Sequence, residues 1–173
     1  MIIYKDFLNG DEMFSDAFPI KKVNDFIWEV EGEFIKLKEG VEDSLIGANP
    51  SAEGGEDEGV QDDVRTVINI IHSHKLEQLD VGTVKDYQNY LKGYLKSVTD
   101  RVQQRCPEKK AEFQKAVGDY FKTKVIGDFK NIDFYRSTNS YPPNQYYIPC
   151  NFREDGTTPY FVFITEGLDE EKY

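Results

Sequence analysis

Hydrophobic and polar residues alternate in the first part of the chain, which is the pattern of half-buried β-strands. The short run MIIYK leads into a turn at Asn9 and Gly10. The segment DFIWEVEGEFIKL alternates on both sides of Gly32 and predicts a β-hairpin that turns there. The later run VRTVINIIHSH predicts a further strand, in which His72 and His74 would face the same side.

Residues 83–129 change to a helical period. Apolar residues recur every three to four positions, at Val84, Tyr87, Leu91, Tyr94, Leu95, Val98 and Val102. Thr83 and Asp86 resemble a capping box before this helix, and Pro107 suits the first turn of the next one. The second helix would bury Phe113, Val117, Tyr120, Phe121 and Val125. The short connection predicts an antiparallel helical hairpin.

Strand patterns return after the hairpin, in IDFYR, QYYIPCNF and PYFVFIT, with a turn at Asp155 and Gly156 between the last two. Strands on both sides of a helical hairpin predict an α+β fold. A chain of 173 residues is long enough to bury a core, and we expect one domain over 1–173.

Composition narrows the class of protein. The net charge of −11 disfavours nucleic acid as a partner, because an acidic surface repels phosphates. Cys106 and Cys150 are far apart in sequence, which excludes a disulfide framework and a CxxC zinc site and suits a reducing compartment. No apolar run has the length of a signal peptide or a membrane span. We therefore expect a cytoplasmic protein.

Residues 39–63 hold nine acidic residues, five glycines and no basic residue. Such a segment buries too little apolar surface to offset its ordering entropy, so we expect a mobile loop. It lacks the lysine and hydroxyl residue of a phosphate-binding loop, and it does not match an EF-hand. Its oxygens could bind calcium weakly, or the run could simply be solvated.

The charge is distributed unevenly along the chain. Between Thr83 and Lys130 there are eleven Lys and Arg against six Asp and Glu, so the predicted hairpin is basic on an otherwise acidic protein. A basic hairpin could steer acidic partners. The alternative is that the lysines only solvate the outer helix faces.

Candidate catalytic residues do not combine into a reactive site. His72 and His74 lack a third metal ligand, and the predicted strand position of Cys150 favours a core residue over a nucleophile. The acidic pairs at Asp11 and Glu154 occur in predicted turns, where charge is common. Because no nucleophile, base and oxyanion hole can be assigned together, we expect a protein that is not an enzyme and has no cofactor.

Several motifs resemble one family from end to end. They are IGANPSAEGGE, the opening MIIYKDFLNGDEMFSD, the EVEGEF segment, YLKGYLKSV, and REDGTTPYFVF leading to EGLDEEKY. These are similar to the translationally controlled tumour proteins, also called fortilin or histamine-releasing factor. The resemblance implies a β-tent core with a protruding helical hairpin and a long mobile loop. That core is similar to zinc-bearing Rab-GTPase chaperones, without their zinc ligands.

The resemblance also implies a function and several site residues. It implies a non-enzymatic regulator of growth and survival that binds Rheb-type small GTPases, Bcl-type apoptosis regulators, translation elongation factors, tubulin and, weakly, calcium. The GTPase-facing glutamate falls on Glu12, beside Asp11, although an exposed turn residue of little effect is the alternative. A phosphorylation site falls on Ser44. The signature loop includes Ile46, Gly47, Asn49, Ser51, Ala52 and Glu53, and the implied calcium donors are Asn49, Glu53 and Glu56.

Two departures from the family pattern affect these expectations. After IDFY the family has a small apolar residue and then GE, whereas this chain has Arg136, Ser137 and Thr138, so a second acidic contact is missing. The family's terminal cysteine is replaced by Tyr173, which removes a route to disulfide-linked dimers and favours a monomer. The alternative function is therefore a secreted or stress-linked effector, exported by a non-classical route, that binds calcium or small ligands and has lost the GTPase role.

Overall fold

The computed structural model describes residues 1–38 and 64–173. Their strands are β1 (Ile2–Asp6), β2 (Glu12–Ser15), β3 (Ile20–Lys22), β4 (Ile27–Glu31), β5 (Phe34–Lys38), β6 (Val64–Ile68), β7 (Leu76–Leu79), β8 (Asp133–Ser137), β9 (Ile148–Phe152), β10 (Pro159–Ile164) and β11 (Leu168–Lys172). Their α-helices are α1 (Asn69–Ser73), α2 (Val84–Arg105) and α3 (Lys110–Tyr120). Shorter helical turns comprise 3₁₀ segments at Pro107–Lys109, Phe129–Asn131 and Thr165–Gly167, and a π-helical turn at Phe121–Ile126.

The strands form three sheets in which every pair is antiparallel. The orders are β11-β1-β2 in one sheet, β3-β4-β10-β9-β8-β7 in the largest, and β5-β6 in the third. Antiparallel sheets with a helical hairpin confirm the predicted α+β class. The edge strand β11 was not predicted, because LDEEK has no apolar alternation and its pairing with β1 is a long-range contact.

Aromatic side chains join the three-stranded sheet to the six-stranded one. The ring centroid of Phe14 lies 4.6 Å from that of Tyr4 and 4.4 Å from that of Phe163. Trp28 meets Tyr4 edge-on at 5.4 Å. These offset and edge-on contacts are the favourable arrangements for aromatic pairs, so the β1–β2 sheet is fixed firmly on the core.

The predicted helical hairpin is confirmed, including its ends. Thr83 accepts a hydrogen bond from the Asp86 amide while the Asp86 carboxylate accepts one from the Thr83 amide, which is a capping box. Pro107 begins the short 3₁₀ turn that leads into α3. The predicted inward residues of α2 and of the following helical segment are buried, except Val84 and Leu95, which are half-buried.

Both helices of the hairpin pack on the sheets. The ring centroids of Tyr87 in α2 and Phe134 are 4.6 Å apart. Those of Phe113 in α3 and Phe26 are 5.4 Å apart, in an edge-on arrangement. The Tyr120 hydroxyl donates to a carboxylate oxygen of Glu29 at 2.6 Å. The hairpin therefore has one face in the core and the opposite face exposed.

The predicted β-hairpin around Gly32 is wrong, because β4 and β5 belong to different sheets. The chain changes sheet at Gly32 and Glu33, where Asn69 accepts a hydrogen bond from the Glu33 amide at 3.0 Å. A Cβ at Gly32 would lie 2.9 Å from the Asn69 Oδ1, so a side chain there would push Asn69 away from its hydrogen bond with the Glu33 amide. Alternation identified both strands, but their partners are distant in sequence.

The predicted strand that contains both histidines is wrong in its second half. The strand β6 ends at Ile68 and the chain continues as α1. His72 is exposed on that short helix, whereas His74 follows it and is largely buried. The two histidines therefore do not share a strand face.

Candidate functional site

The turn between β1 and β2, residues 6–12, is closed by its own backbone and side chains. The Asp6 amide donates to the Asp11 carbonyl at 2.8 Å, and the Gly10 amide donates to the Asp6 carbonyl at 2.8 Å. Gly10 has φ +80°, a conformation that glycine adopts without strain, and the Asn9 side chain accepts from the Asp11 amide. We refer to residues 6–12 as the acidic turn, and the predicted turn at Asn9 and Gly10 is confirmed.

Asp6 fastens the acidic turn to the segment before β9. Its buried carboxylate accepts hydrogen bonds from the amides of Leu8 at 3.1 Å and Tyr146 at 2.9 Å. Burial raises the pKa of Asp6 above its ordinary value, and the neighbouring Asp11 adds to the rise, whereas the hydrogen bonds oppose it. The role of Asp6 has no local signal in the sequence, because Tyr146 lies 140 residues further along the chain.

The acidic turn presents Glu12 and largely buries Asp11. The side chain of Glu12 is 51% exposed, whereas Asp11 is 9% exposed. A macromolecular partner can reach the first carboxylate but has little access to the second. Of the two residues predicted to bind a partner, Glu12 is the accessible one and Asp11 belongs to the support beneath it.

His74 lies beside Glu12, with 3.7 Å between its Nδ1 and the Glu12 Oε1. The imidazole packs edge-on against Phe18 at 5.8 Å. Burial lowers the pKa of His74 below 6.5, and this effect outweighs the opposing influence of Glu12. The imidazole is therefore neutral at pH 7 and does not compensate the charge of Glu12. Lys5, the cross-strand neighbour of Glu12, is ion-paired with Glu171.

The segment that departs from the family pattern lies next to this turn. The Thr138 hydroxyl donates to the carbonyl of Lys75 at 3.0 Å, and Lys75 directly follows His74. Arg136 forms an ion pair with Glu77 at 3.0 Å across β7 and β8. We refer to the acidic turn, the turn at 74–75 and loop 138–144 together as the acidic-turn face.

A second surface runs between α2 and α3 on the exposed side of the hairpin. This groove has a volume of about 440 Å³. Its floor is apolar and its rim is basic, with Leu95, Phe113 and Val117 below and Lys92, Lys96 and Lys110 around them. Asp100 also lines the groove and is paired with Lys96 at 3.3 Å, so the rim keeps a net positive charge. We call this the hairpin groove.

The other residues considered from the sequence fall into two groups. Most lie outside the residues that the structure describes, and Cys150 is buried in the core. Ser44, the signature loop and the calcium donors Asn49, Glu53 and Glu56 lie outside the described residues. Within 1–38 and 64–173, no three His, Cys, Asp or Glu side chains are grouped so as to hold a metal ion. Cys150 is buried as predicted, and burial raises its pKa to about 12, so its thiol is protonated at neutral pH.

The fold and this face define a class of protein. It is an α+β protein of antiparallel sheets with a helical hairpin, and the connection between β1 and β2 presents a charged turn. In the part of the chain that the structure covers, no helix has the length and apolarity to cross a membrane. The family model described as translationally controlled tumour protein matches residues 1–169. The chain belongs to this family.

Relatives and solved structures agree with that assignment. A translationally-controlled tumor protein homolog of Yarrowia lipolytica is 45% identical over 99% of both chains, and one of Schistosoma japonicum is 41% identical over the full length of both. The structure of the Schizosaccharomyces pombe protein matches with a TM-score of 0.80 at 38% identity, covering all of both chains. A Caenorhabditis elegans protein of the family matches with a TM-score of 0.70 at 31% identity.

Proposed function

We propose that this chain is a non-enzymatic regulatory protein of the cytoplasm that acts by binding other proteins, and that its acidic-turn face binds a Rheb-type small GTPase. The observation that supports this is the placement of Glu12. Its carboxylate is half exposed on a turn that Asp6 fastens to the core, and it is not neutralised by His74. A charge fixed in this way steers a basic partner and sets its orientation.

The acidic-turn face carries one carboxylate fewer than the family pattern implies. Thr138 stands where the resemblance places the second acid, and its hydroxyl is bound to the Lys75 carbonyl. This makes Glu12 the main acidic contact that we propose for the GTPase. It also supports the alternative function, a secreted effector that binds calcium or small ligands and has lost the GTPase role.

The substitution Glu12→Gln separates the two functions. We expect it to weaken binding to a purified Rheb-type GTPase by about 2 kcal/mol or more, because the basic group of the partner would be buried without its counter-charge. Calorimetry at two ionic strengths measures the loss and its dependence on salt. Glu154→Gln is the matched control, since it removes the same charge from an exposed turn beyond the far end of β9. Equal affinities for Glu12→Gln and the parent chain would refute the GTPase assignment.

The hairpin groove favours a second set of partners. Its basic rim complements acidic protein segments, and its apolar floor can bury an apolar side chain. A groove with both features is typical of a site that binds a helix or a peptide. We propose that tubulin and translation elongation factors, which the resemblance implies, dock here through acidic segments. The acidity of the rest of the chain would repel such segments from other surfaces.

Two glycines in the hairpin provide a test of the groove. Gly118 lines it and Gly93 does not, and a Cβ at either position meets no atom within 4 Å. We expect Gly118→Leu to fill the groove and weaken tubulin binding about tenfold, equivalent to about 1.4 kcal/mol. Gly93→Leu should bind normally, because both changes favour the helix equally and only one occupies the groove. Equal binding by the two variants in a microtubule sedimentation assay would exclude the groove.

Other implied roles remain proposals. Binding of Bcl-type regulators, weak calcium binding through Asn49, Glu53 and Glu56, and phosphorylation of Ser44 rest on the family resemblance alone. The same holds for non-classical secretion, whereas the proposed monomeric state rests on the departure from the family pattern at Tyr173.

A further inference from the structure

Tyr141 is the most exposed large hydrophobic side chain in the described residues. It is 75% exposed, on the loop between β8 and β9. A single exposed aromatic is common on protein surfaces and does not by itself indicate a site. The position of Tyr141 relative to the acidic turn is what distinguishes it.

The loop that carries Tyr141 is fixed on both sides. Directly before Tyr141, the Ser140 carbonyl accepts a hydrogen bond from the Arg136 guanidinium at 2.9 Å. After it, the Asn144 amide donates to the Tyr141 carbonyl at 3.1 Å, and two prolines lie between these residues. Because the backbone is already ordered, a partner that binds the ring would restrict few further degrees of freedom.

The same loop touches the acidic turn. The Asn9 side chain donates to the Asn144 carbonyl at 3.0 Å, so the two segments are adjacent. Leu8, directly before Asn9, is 40% exposed. Two exposed apolar side chains, Leu8 and Tyr141, therefore lie on adjacent segments of the acidic-turn face, which also carries the carboxylate of Glu12.

Arg136 does not oppose a basic partner at this position. Its guanidinium is paired with Glu77 and bonded to the carbonyls of Ser137 and Ser140, so it acts as a support for the loop. The departure from the family pattern thus has two consequences. It removes an acid at position 138, where this chain has Thr138, and it places Arg136 where it helps to order the loop that carries Tyr141. Tyrosine is among the residues that contribute most to binding energy at interfaces.

We propose that Tyr141 is the apolar anchor of the acidic-turn face, and that its ring enters an apolar pocket of the basic partner that Glu12 contacts. This inference rests on the proposed GTPase function. The two residues would contribute differently to the rates of binding. Glu12 accelerates encounter by attraction and also slows dissociation through its buried ion pair, whereas the uncharged ring of Tyr141 slows dissociation only.

The test compares association and dissociation rates for a purified Rheb-type GTPase, loaded in turn with GDP and a GTP analogue, on immobilised parent and variant chains. We expect Tyr141→Ala to raise the dissociation rate about tenfold or more with a nearly unchanged association rate. Tyr141→Phe keeps the ring and should bind like the parent. Glu12→Gln should in addition slow association at low salt, which Tyr141→Ala should not.

Phe152→Ala is the matched control, because Phe152 is an exposed aromatic at the far end of β9. Tyr141 is solvent-exposed, so its truncation should leave the melting temperature unchanged. If the parent binds, Glu12→Gln weakens binding and Tyr141→Ala dissociates like the parent or like Phe152→Ala, the anchor is refuted and the proposed function stands. If the parent chain does not bind either nucleotide form, both proposals fail.

Discussion

Replacing Phe14 by alanine is expected to lower the free energy of unfolding by about 3–5 kcal/mol, the range for truncating a buried phenylalanine. The ring is fully buried between Tyr4 of β1 and Phe163 of β10, so its removal leaves a cavity where two sheets meet. The melting temperature should fall by about 10 °C. Denaturant titration and thermal unfolding measure both quantities.

A matched exposed phenylalanine controls for the loss of aromatic area. Phe34 is 48% exposed and stacks only on Phe152 among the aromatic contacts of the described residues. We expect Phe34→Ala to cost less than about 1 kcal/mol. Similar losses at both positions would mean that the junction between the sheets does not carry the stability of the core.

Replacing Arg153 by alanine should cost about 3–5 kcal/mol, because it leaves the buried Glu29 carboxylate without a counter-charge. The Glu29 side chain is 7% exposed, and Arg153 donates to it at 2.5 Å. Arg153 also donates to Glu31 at 2.8 Å and packs over the ring of Tyr160 at 4.1 Å. Because Tyr120 donates to the same carboxylate, the loss should also loosen the hairpin from the sheet.

A double variant tests whether the unpaired charge is the cause. Glu29→Leu combined with Arg153→Leu removes both charges, and it should recover much of the stability that Arg153→Ala loses. Lys124 is an exposed residue of the surface cleft that Glu29 and Arg153 also line, and Lys124→Ala should change stability by less than about 0.5 kcal/mol. If the double variant unfolds as readily as Arg153→Ala, packing by the long arginine side chain matters more than its charge.

The local features of the fold were predictable from the sequence. Helical periodicity identified α2 and the helical segment after it, and Thr83 with Asp86 gave the start of α2, because caps and amphipathic faces depend on residues within one or two turns. Alternation identified β4 and β5 but paired them wrongly. The strand β11 was missed, because an acidic edge strand has no local signal and is defined by its hydrogen bonds to β1.

The candidate site was predictable only in part, and mainly through the family resemblance. The resemblance indicated Glu12 as the contact residue, but nothing in the local sequence showed that Asp6 supports the turn from beneath. Asp11 was predicted as a second contact and is largely buried. Tyr141 was not predicted, since its importance depends on the hydrogen bond between Asn9 and Asn144, which are 135 residues apart.

The class of the fold, the basic charge of the helical hairpin and the carboxylate at Glu12 can be read from the sequence alone, because periodicity, capping and charge are properties of neighbouring residues. The folded chain adds the pairing of the strands, the exposure of Glu12 but not of Asp11, and the adjacency of the segments that carry Leu8 and Tyr141. These depend on long-range hydrogen bonds and on burial, which arise only when distant segments pack together.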